Sequence, residues 1–322
     1  MSKNWIRALG CALLLAQAAF PAFADTWPSK PIRLIVPFSA GGSTDIAARW
    51  IAENLRPILG QPVVVDNRPG AGSNIGAEAV AKSAPDGYTF LMASTTQVVN
   101  YSLYKNLPYD FVNDFAPVSL TTVFPSVLAI SLKVPVGSLA EFVAYVKSGK
   151  YVVNYGTGGS GSSQHLSAAL FHSMVGGNMV HVPYKGGAPA NADLVAGHVD
   201  AVFGPLVELL PYIKSGKVKA LGITTTKRSP LLPEMPAIGD ALPGYEMGMW
   251  HGIIAPAKTP AEIVDKLNEA IAKVLKQPEV RARLLEQGLE PTSNSPAEFK
   301  QFIATEVERT GAIVKISGAK VE

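Results

Sequence analysis

The residues best suited to bind a ligand lie in short loops of glycine and hydroxyl residues, each between a strand pattern and a helix pattern. The first such loop, residues 39–45, has the sequence Ser-Ala-Gly-Gly-Ser-Thr-Asp and follows an apolar run. A helix that starts there presents unpaired main-chain N–H groups and the positive end of its dipole, which together can hold an anion. The loop lacks the lysine of a triphosphate site and the G-x-G-x-x-G of a dinucleotide site. An anion site is therefore predicted, with a plain strand–helix turn as the open alternative.

A second loop, residues 155–165, has the densest run of small polar residues, Tyr-Gly-Thr-Gly-Gly-Ser-Gly-Ser-Ser-Gln-His. It offers many N–H groups and hydroxyls, with no formal charge unless His165 is protonated. A nucleophile elbow requires G-x-S-x-G, and around Ser160 the last position is Ser162 instead of glycine. A secreted serine hydrolase that uses Ser160 or Ser162 with His165 remains an alternative, because a triad can be assembled from distant residues.

Three further loops repeat the same design. Residues 94–97 are Ser-Thr-Thr-Gln, residues 181–189 contain Lys185 beside two glycines, and residues 201–205 run from a strand pattern into Gly-Pro. Ordinary helix capping and a solvated lysine are the structural alternatives. The five histidines show no metal-ligand spacing, so neither a metal nor another cofactor is predicted.

The elements that must position these loops alternate along the chain. Strand patterns at 32–36, 63–65, 88–92, 152–155, 179–182 and 201–203 are interleaved with helix patterns at 45–55, 75–83, 142–147, 166–175 and 191–196. This alternation predicts an α/β fold with largely parallel sheets, in which ligands bind beyond the carboxyl ends of the strands. Residues 118–132 are extended, with a break predicted at Pro125. Two such lobes would form a cleft suited to a small carboxylate and poorly equipped for catalysis.

Helix starts are marked in three places by a hydroxyl residue followed three positions later by Glu. Ser138, Thr259 and Ser295 each fit this capping box, in which the hydroxyl and the Glu satisfy each other's main-chain N–H groups. The last two boxes also place Pro at the first helical position. They predict helices over residues 261–276 and 297–314.

Composition and charge set the class of protein. Lys3 and Arg7 precede an apolar stretch that ends in the small-x-small signature 22–24, so residues 1–24 are predicted to be a cleaved signal peptide. Cys11, the one cysteine, lies too early for a lipoprotein site, although lipidation stays a minor alternative. Without the two basic residues of the signal, the chain has 26 Lys and Arg residues and 25 Asp and Glu residues. It shows no basic stripe that would indicate nucleic-acid binding.

The chain resembles the Bug family of extracytoplasmic solute receptors, the binding proteins of tripartite tricarboxylate transporters. The stretches that carry the resemblance include PIRLIVPFSAGGSTDIAAR, GQPVVVDNRPGAGSNIGAEAVAKSAPDGYTFLMAS and HVPYKGGAPANADLVAGHVD, and they extend over nearly the whole mature chain. The resemblance implies a two-lobed periplasmic binding fold of type II, with residues 25–125 and 250–322 in one lobe and 126–249 in the other. The chain would cross the hinge near Pro125 and again near Trp250.

The same resemblance implies a monomeric, non-enzymatic receptor that closes around a small carboxylate and delivers it to the transporter's membrane components. A sensory receptor without a transporter is the further alternative. The implied ligand-binding residues from the first lobe are Ser39, Ala40, Gly41, Gly42, Asp45, Ser94, Thr95, Thr96 and Gln97. Those from the second lobe are Gly156, Thr157, Gly158, Ser160, Ser162, Gln164, His165, Lys185, Gly186, Ala188, Phe203, Gly204 and Pro205.

Two positions, Asp45 and Gly204, lead to predictions about the loop and the ligand. Asp45 is expected to orient its loop instead of touching an anion, because like charges repel. Many relatives carry Asp where this chain has Gly204, and the loss of that carboxylate predicts a ligand without an amine.

Overall fold

The structure is a computed structural model that describes residues 27–226 and 228–320. The predicted signal peptide and Cys11 lie outside these residues. The strands of the described part are β1 (Ile32–Val36), β2 (Val63–Asn67), β3 (Thr89–Ser94), β4 (Phe115–Ser131), β5 (Val152–Thr157), β6 (Asn178–Pro183), β7 (Ala201–Pro205), β8 (Val218–Ile223), β9 (Gly248–Pro256) and β10 (Glu290–Pro291).

The helices surround these strands on both faces of the sheet. In chain order they are α1 (Ser43–Leu59), α2 (Asn74–Ala81), α3 (Thr95–Leu103), α4 (Leu139–Lys147), α5 (Ser163–Val175), α6 (Gly187–Ala196), α7 (Leu206–Lys214), α8 (Ile238–Ala241), α9 (Ala261–Lys276), α10 (Pro278–Glu286) and α11 (Pro296–Ser317). The predicted α/β class is confirmed, and the predicted bounds of α9 agree with the structure.

The strands join in the order β2-β1-β3-β9-β4-β7-β5-β6, and β8 and β10 also pair with β4. We call β1, β2, β3, β9, β10 and the first part of β4 the first half-sheet. The second half-sheet comprises β5, β6, β7, β8 and the last part of β4. Strand β4 is 17 residues long and belongs to both.

The expectation of largely parallel sheets is wrong, because the sheet is mixed. The β1–β2, β1–β3, β5–β6 and β5–β7 pairs are parallel, whereas β4 and β9 run antiparallel to their neighbours. The physical reason is that β4 and β9 connect the two half-sheets in opposite directions. Parallel βαβ units therefore lie at the outside, and the two connecting strands lie at the centre.

Pro125 does not break β4, contrary to the sequence-based expectation. It pairs with Gly248 at the end of the β4–β9 ladder, and the next residue, Ser126, pairs with Pro205 of β7. A proline lacks the N–H that a ladder needs, so it fits where a strand changes partner. Pro125 thus lies at the junction of the two half-sheets.

Each half-sheet has its own buried core. Leu34, Ile51 and Phe90 belong to a cluster between the first half-sheet and its helices, and Phe171 and Phe203 belong to a cluster in the second half. The separation is not complete, because Val207 of α7 belongs to the first cluster and a small buried cluster contains both Val99 of α3 and Leu166 of α5. Most of the apolar packing thus lies within one half, and a smaller part of it joins the two.

The three predicted capping boxes differ in the structure. Ser295 accepts the Glu298 N–H at 3.2 Å while Glu298 accepts the Ser295 N–H at 2.8 Å, a complete box. The Ser138 hydroxyl accepts the Glu141 N–H, but Glu141 turns to the Gly137 N–H. The Thr259 box is wrong: Pro260 is the N-cap of α9, and the buried Thr259 Oγ1 has no partner among the described residues.

This difference predicts unequal costs for similar substitutions. Ser295→Ala should lower the free energy of unfolding by about 1 kcal/mol, because an N-cap acceptor is lost. Thr259→Val should leave stability unchanged or raise it, since a buried hydroxyl without a partner is replaced by a methyl group of the same shape. Urea unfolding of both variants beside the wild type measures the difference, and equal losses would contradict the assignment of the caps.

Candidate functional site

The first turns of α1, α3, α5, α6 and α7 converge on one cavity between the two half-sheets. The empty space, counted out to its solvent mouth, is about 420 Å³. Its lining consists of Phe38, Gly42, Ser43, Thr44, Ser94, Thr95, Thr96, Phe124, Gly158, Ser162, Ser163, Gln164, Gly187, Pro205, Glu208, Met249, Trp250 and His251. Both half-sheets contribute.

The cavity is lined without a cationic side chain. None of the described residues along its wall is Lys or Arg, and Lys185, one of the predicted ligand residues, lies exposed outside it. The positive groups that the wall offers are therefore helix dipoles and first-turn N–H groups, each of which lacks an acceptor within its own helix. Such a surface can bind an anionic group by hydrogen bonds.

The residues at the helix starts determine which N–H groups are available. Gly42, Gly186 and Pro205 are the N-caps of α1, α6 and α7, and none of them provides a side-chain cap. The first turns of these helices are therefore open to other acceptors. By contrast, Ser94 and Ser162 cap α3 and α5 with their hydroxyls.

Hydrogen bonds across the cavity hold the two halves together. The Ser163 N–H donates to Thr96 Oγ1 at 3.2 Å, and the Ser39 N–H donates to the Lys185 carbonyl at 3.3 Å. At the rim, the Tyr104 hydroxyl donates to the Ser160 carbonyl at 3.1 Å. The loops that the sequence singled out in each half thus meet directly.

Glu208 brings a carboxylate into the cavity. It lies in the first turn of α7 and is 9% exposed. Its Oε1 accepts the Ser43 N–H from the first half at 2.7 Å, and its Oε2 accepts an Asn191 amide N–H at 2.9 Å. Burial raises the pKa of the Glu208 carboxyl, and the hydrogen bonds from Ser43 and Asn191 act in the opposite direction.

The sequence analysis missed Glu208. The signal that could have revealed it is its position in the first turn of a helix that follows a strand end, three residues after Pro205. The expectation of an amine-free ligand is based on the missing carboxylate at Gly204, and it stays a prediction. Glu208 supplies another carboxylate to the same cavity, so Gly204 alone does not exclude a partner for an amine.

His251 lies at the hinge side of the cavity and is fully buried. Its Nε2 is 3.3 Å from Thr44 Oγ1 and its Nδ1 is 3.0 Å from Thr122 Oγ1, while the ring packs on Phe124 with centroids 4.5 Å apart. Burial lowers the pKa of His251 to about 3, so the ring is neutral near pH 7. It therefore adds no positive charge to the cavity.

Some of the predicted ligand residues, from both halves, line the cavity. The predicted residues that line it are Gly42, Ser94, Thr95, Thr96, Gly158, Ser162, Gln164 and Pro205. Several of its other residues, including Ser43, Ser163 and Gly187, are sequence neighbours of predicted ones. The helices begin earlier than their apolar patterns suggest, α6 at Gly187 instead of Asn191, and this shifts the N-terminal turns into the cavity.

The remaining predicted residues lie around the cavity without lining it. Among them, Ala40, Gly41 and Lys185 are exposed, and Gly156, Phe203 and Gly204 lie within strands. Thr157 ends strand β5, and the others belong to the surrounding loops and helix starts: Ser39, Asp45, Gln97, Ser160, His165, Gly186 and Ala188.

Several of these surrounding residues support the loops. Asp45 accepts the Gly41 N–H at 2.9 Å and pairs with Arg49, which lowers the pKa of Asp45 despite its burial. Gln97 accepts the Ser94 N–H at 2.7 Å, and the Thr157 hydroxyl lies 2.6 Å from His181 Nε2. These contacts hold the loops around the cavity in place without lining the cavity themselves.

The residues of the hydrolase alternative are not arranged as a nucleophile and base. Ser162 Oγ accepts the main-chain N–H of His165 at 3.1 Å, and the ring Nδ1 of His165 accepts the Gly161 N–H at 3.2 Å. The ring stacks on His181 with centroids 4.1 Å apart. Within the described part of the chain, no cluster of three His, Cys, Asp or Glu side chains is placed to hold a metal.

The family model of the tripartite tricarboxylate transporter family receptor matches residues 47–319. The chain belongs to this receptor family. Its relatives include protein BugT of Bordetella pertussis, 38% identical over 98% of this chain and 97% of BugT. A second relative, from the ttuE-ttuC' intergenic region of Agrobacterium vitis, is 35% identical over 95% of this chain and 91% of its own.

Solved receptors of this type share the fold closely. The periplasmic binding protein BugD superposes with a TM-score of 0.88 at 34% identity, over 92% of this chain and 100% of its own. A protein of R. palustris solved with adipate has a TM-score of 0.88 at 37% identity, with the same coverage. MatC from Rhodopseudomonas palustris with bound malate has a TM-score of 0.86 at 35% identity, over 89% and 100%. The chain therefore has the two-lobed periplasmic binding protein fold and is a solute-binding receptor of the Bug type.

In the described residues, no helix is both long and apolar enough to cross a membrane.

The buried histidine of this receptor predicts a pH dependence of stability. The unfolded chain binds a proton to His251 below about pH 6.5, whereas the folded protein does so only near pH 3, so stability rises with pH between these values. Between pH 7.5 and 5 this group alone should cost about 2 kcal/mol on acidification. His181, whose pKa burial lowers to about 4, acts in the same direction.

NMR spectra of the imidazole nitrogens, assigned with the His251→Gln variant, provide the direct measurement. The His251 signals should stay at neutral-ring positions from pH 8 to 4.5. Urea midpoints at pH 7.5 and 5 should differ less in His251→Gln than in the wild type. A His251 ring that titrates near pH 6.5 would contradict its burial.

Proposed function

We propose that this chain is a periplasmic receptor that captures a small carboxylate between its lobes and delivers it to the membrane components of a tripartite tricarboxylate-type transporter. The observation that carries the proposal is the convergence of helix N-termini on one cavity whose described wall has no Lys or Arg. Adipate and malate, which are bound to two of the relatives, are small carboxylates as well.

The affinity that this arrangement can reach is adequate for a receptor. A hydrogen bond to a charged group contributes roughly 1.5–3 kcal/mol. Three or four such bonds, reduced by the cost of ordering the ligand, allow a binding free energy of about −8 kcal/mol, which corresponds to micromolar affinity. Cationic side chains are not needed for this value.

Closure is proposed to occur about β4 and β9. The lobes then comprise residues 25–125 with 250–322 and residues 126–249, and the hinge lies where β4 changes partner after Pro125. The contacts of the α5 and α7 starts with the α3 and α1 starts would form on closure and break on opening. Residues 1–24 are proposed to be a cleaved signal peptide, and the mature receptor is proposed to act as a monomer, without catalysis, cofactor or nucleic acid.

A thermal-shift screen tests the proposal with small carboxylic acids and, as matched controls, the methyl esters of the same acids. A ligand at 100 times its Kd should stabilise the folded receptor by about 2.7 kcal/mol, and its ester should not. Ser162→Ala should weaken binding of the best acid about tenfold, because Ser162 lines the cavity. Ser160→Ala, a serine of the same loop outside the cavity lining, is the control.

Turnover of the esters without stabilisation by any acid would favour the hydrolase alternative. Equal affinities of the two serine variants and the wild type would contradict the placement of the ligand beside α5.

A further inference from the structure

Glu208 is a buried carboxylate whose described partners are neutral. It accepts the main-chain N–H of Ser43 and an amide N–H of Asn191, the Ser43 side chain also hydrogen-bonds to it, and no Lys or Arg of the described chain lines the cavity beside it. A buried carboxylate has about four acceptor sites, and a charge removed from water is costly unless it is paired. This carboxylate therefore retains capacity for a donor, and above all for a cation.

Further acceptors lie at the same end of the cavity. Gln164 is 5% exposed and lines the cavity, and its Oε1 has no hydrogen-bond partner in the described part of the protein. The Asn191 amide oxygen, behind Glu208, is likewise buried and without a partner among the described residues. A buried acceptor that lacks a donor costs about 1–3 kcal/mol, so this end of the cavity favours a ligand group rich in N–H donors.

Glu208 lines the cavity, and two glycines lie close against its carboxylate, where a larger residue would cover it. A Cβ on Gly187 would lie 2.1 Å from Glu208 Oε2 and 2.8 Å from Gln164 Nε2. A Cβ on Gly42 would lie 3.5 Å from Glu208 Oε1. Gly187 does not have a positive φ, so its backbone conformation does not require a glycine. A glycine is needed here because there is no room for a side chain. The two side chains therefore border a common space.

We propose that Glu208 and Gln164 form the recognition site for an ammonium group and that the ligand of this receptor is a small zwitterion, an amino-bearing carboxylate. This inference rests on the proposed function, since the acid group of the ligand would still bind to first-turn N–H groups. An ammonium group has three donors and pairs with a carboxylate by charge-assisted hydrogen bonds. A second carboxylate placed there would instead be repelled by Glu208.

Isothermal titration calorimetry with matched ligand pairs tests the inference. Aspartate and succinate differ only by the amine, and 4-aminobutyrate and glutarate have the same acid end but an ammonium or a carboxylate at the other. The wild type should bind the aminated member of at least one pair at least tenfold more tightly. Glu208→Gln should reduce that preference at least tenfold.

The variant is expected to fold. A glutamine still accepts the Ser43 N–H, and the unpaired Asn191 oxygen can accept the new amide N–H if the Asn191 amide turns over. Glu279→Gln is the matched control, because it makes the same charge change in the first turn of α10, at an exposed site outside the cavity. Its ligand preference should equal that of the wild type.

The outcomes separate the two proposals. If acids bind to the wild type but the unaminated members bind as tightly as the aminated ones, the inference about Glu208 is overturned and the proposed function stands. An amine preference that survives Glu208→Gln also overturns it. If no member of either pair and no other small acid binds, both proposals fail.

Discussion

The cavity of this receptor is subject to one constraint: its described wall carries no Lys or Arg, so an anion bound there would have to be held by peptide N–H groups. Peptide dipoles are fixed by the fold and cannot follow a ligand as a lysine side chain can. They are useful only if several helix starts point to one place. The mixed sheet achieves this by placing the βα turns of both halves on opposite sides of a single gap.

The central strands connect the two sides of that gap. β4 and β9 are paired along their length in the first half, and beyond Pro125 the same β4 pairs with β7 and β8. The proposed bending at this junction would leave most of the apolar packing of each half intact. The buried, neutral His251 lies beside the junction and ties Thr44 of α1 to Thr122 of β4. It thus couples the start of α1 to a strand that connects the two halves, without adding charge.

Glu208 gives the cavity two electrostatically different ends. The Ser43 N–H, one of the groups that an anionic ligand could use, is occupied by a carboxylate from the other half. That hydrogen bond crosses between the halves and contributes to their closure. The acid group of a ligand would therefore have to use first-turn N–H groups other than that of Ser43.

The sequence by itself determined the α/β class, the loops that border the cleft and the family, because glycine and hydroxyl residues between strand and helix patterns are local signals. It also determined the Ser295 cap, in which both partners lie within three residues. Only the tertiary structure decided which residues face the cavity. The starts of α1 and α6 lie earlier than their apolar patterns indicate, and the Thr157 hydroxyl turns to His181 behind the loop. Glu208 meets Ser43 across 165 residues, and β4 passes Pro125 without a break. Such contacts depend on how distant elements pack, and local sequence patterns carry no record of that packing.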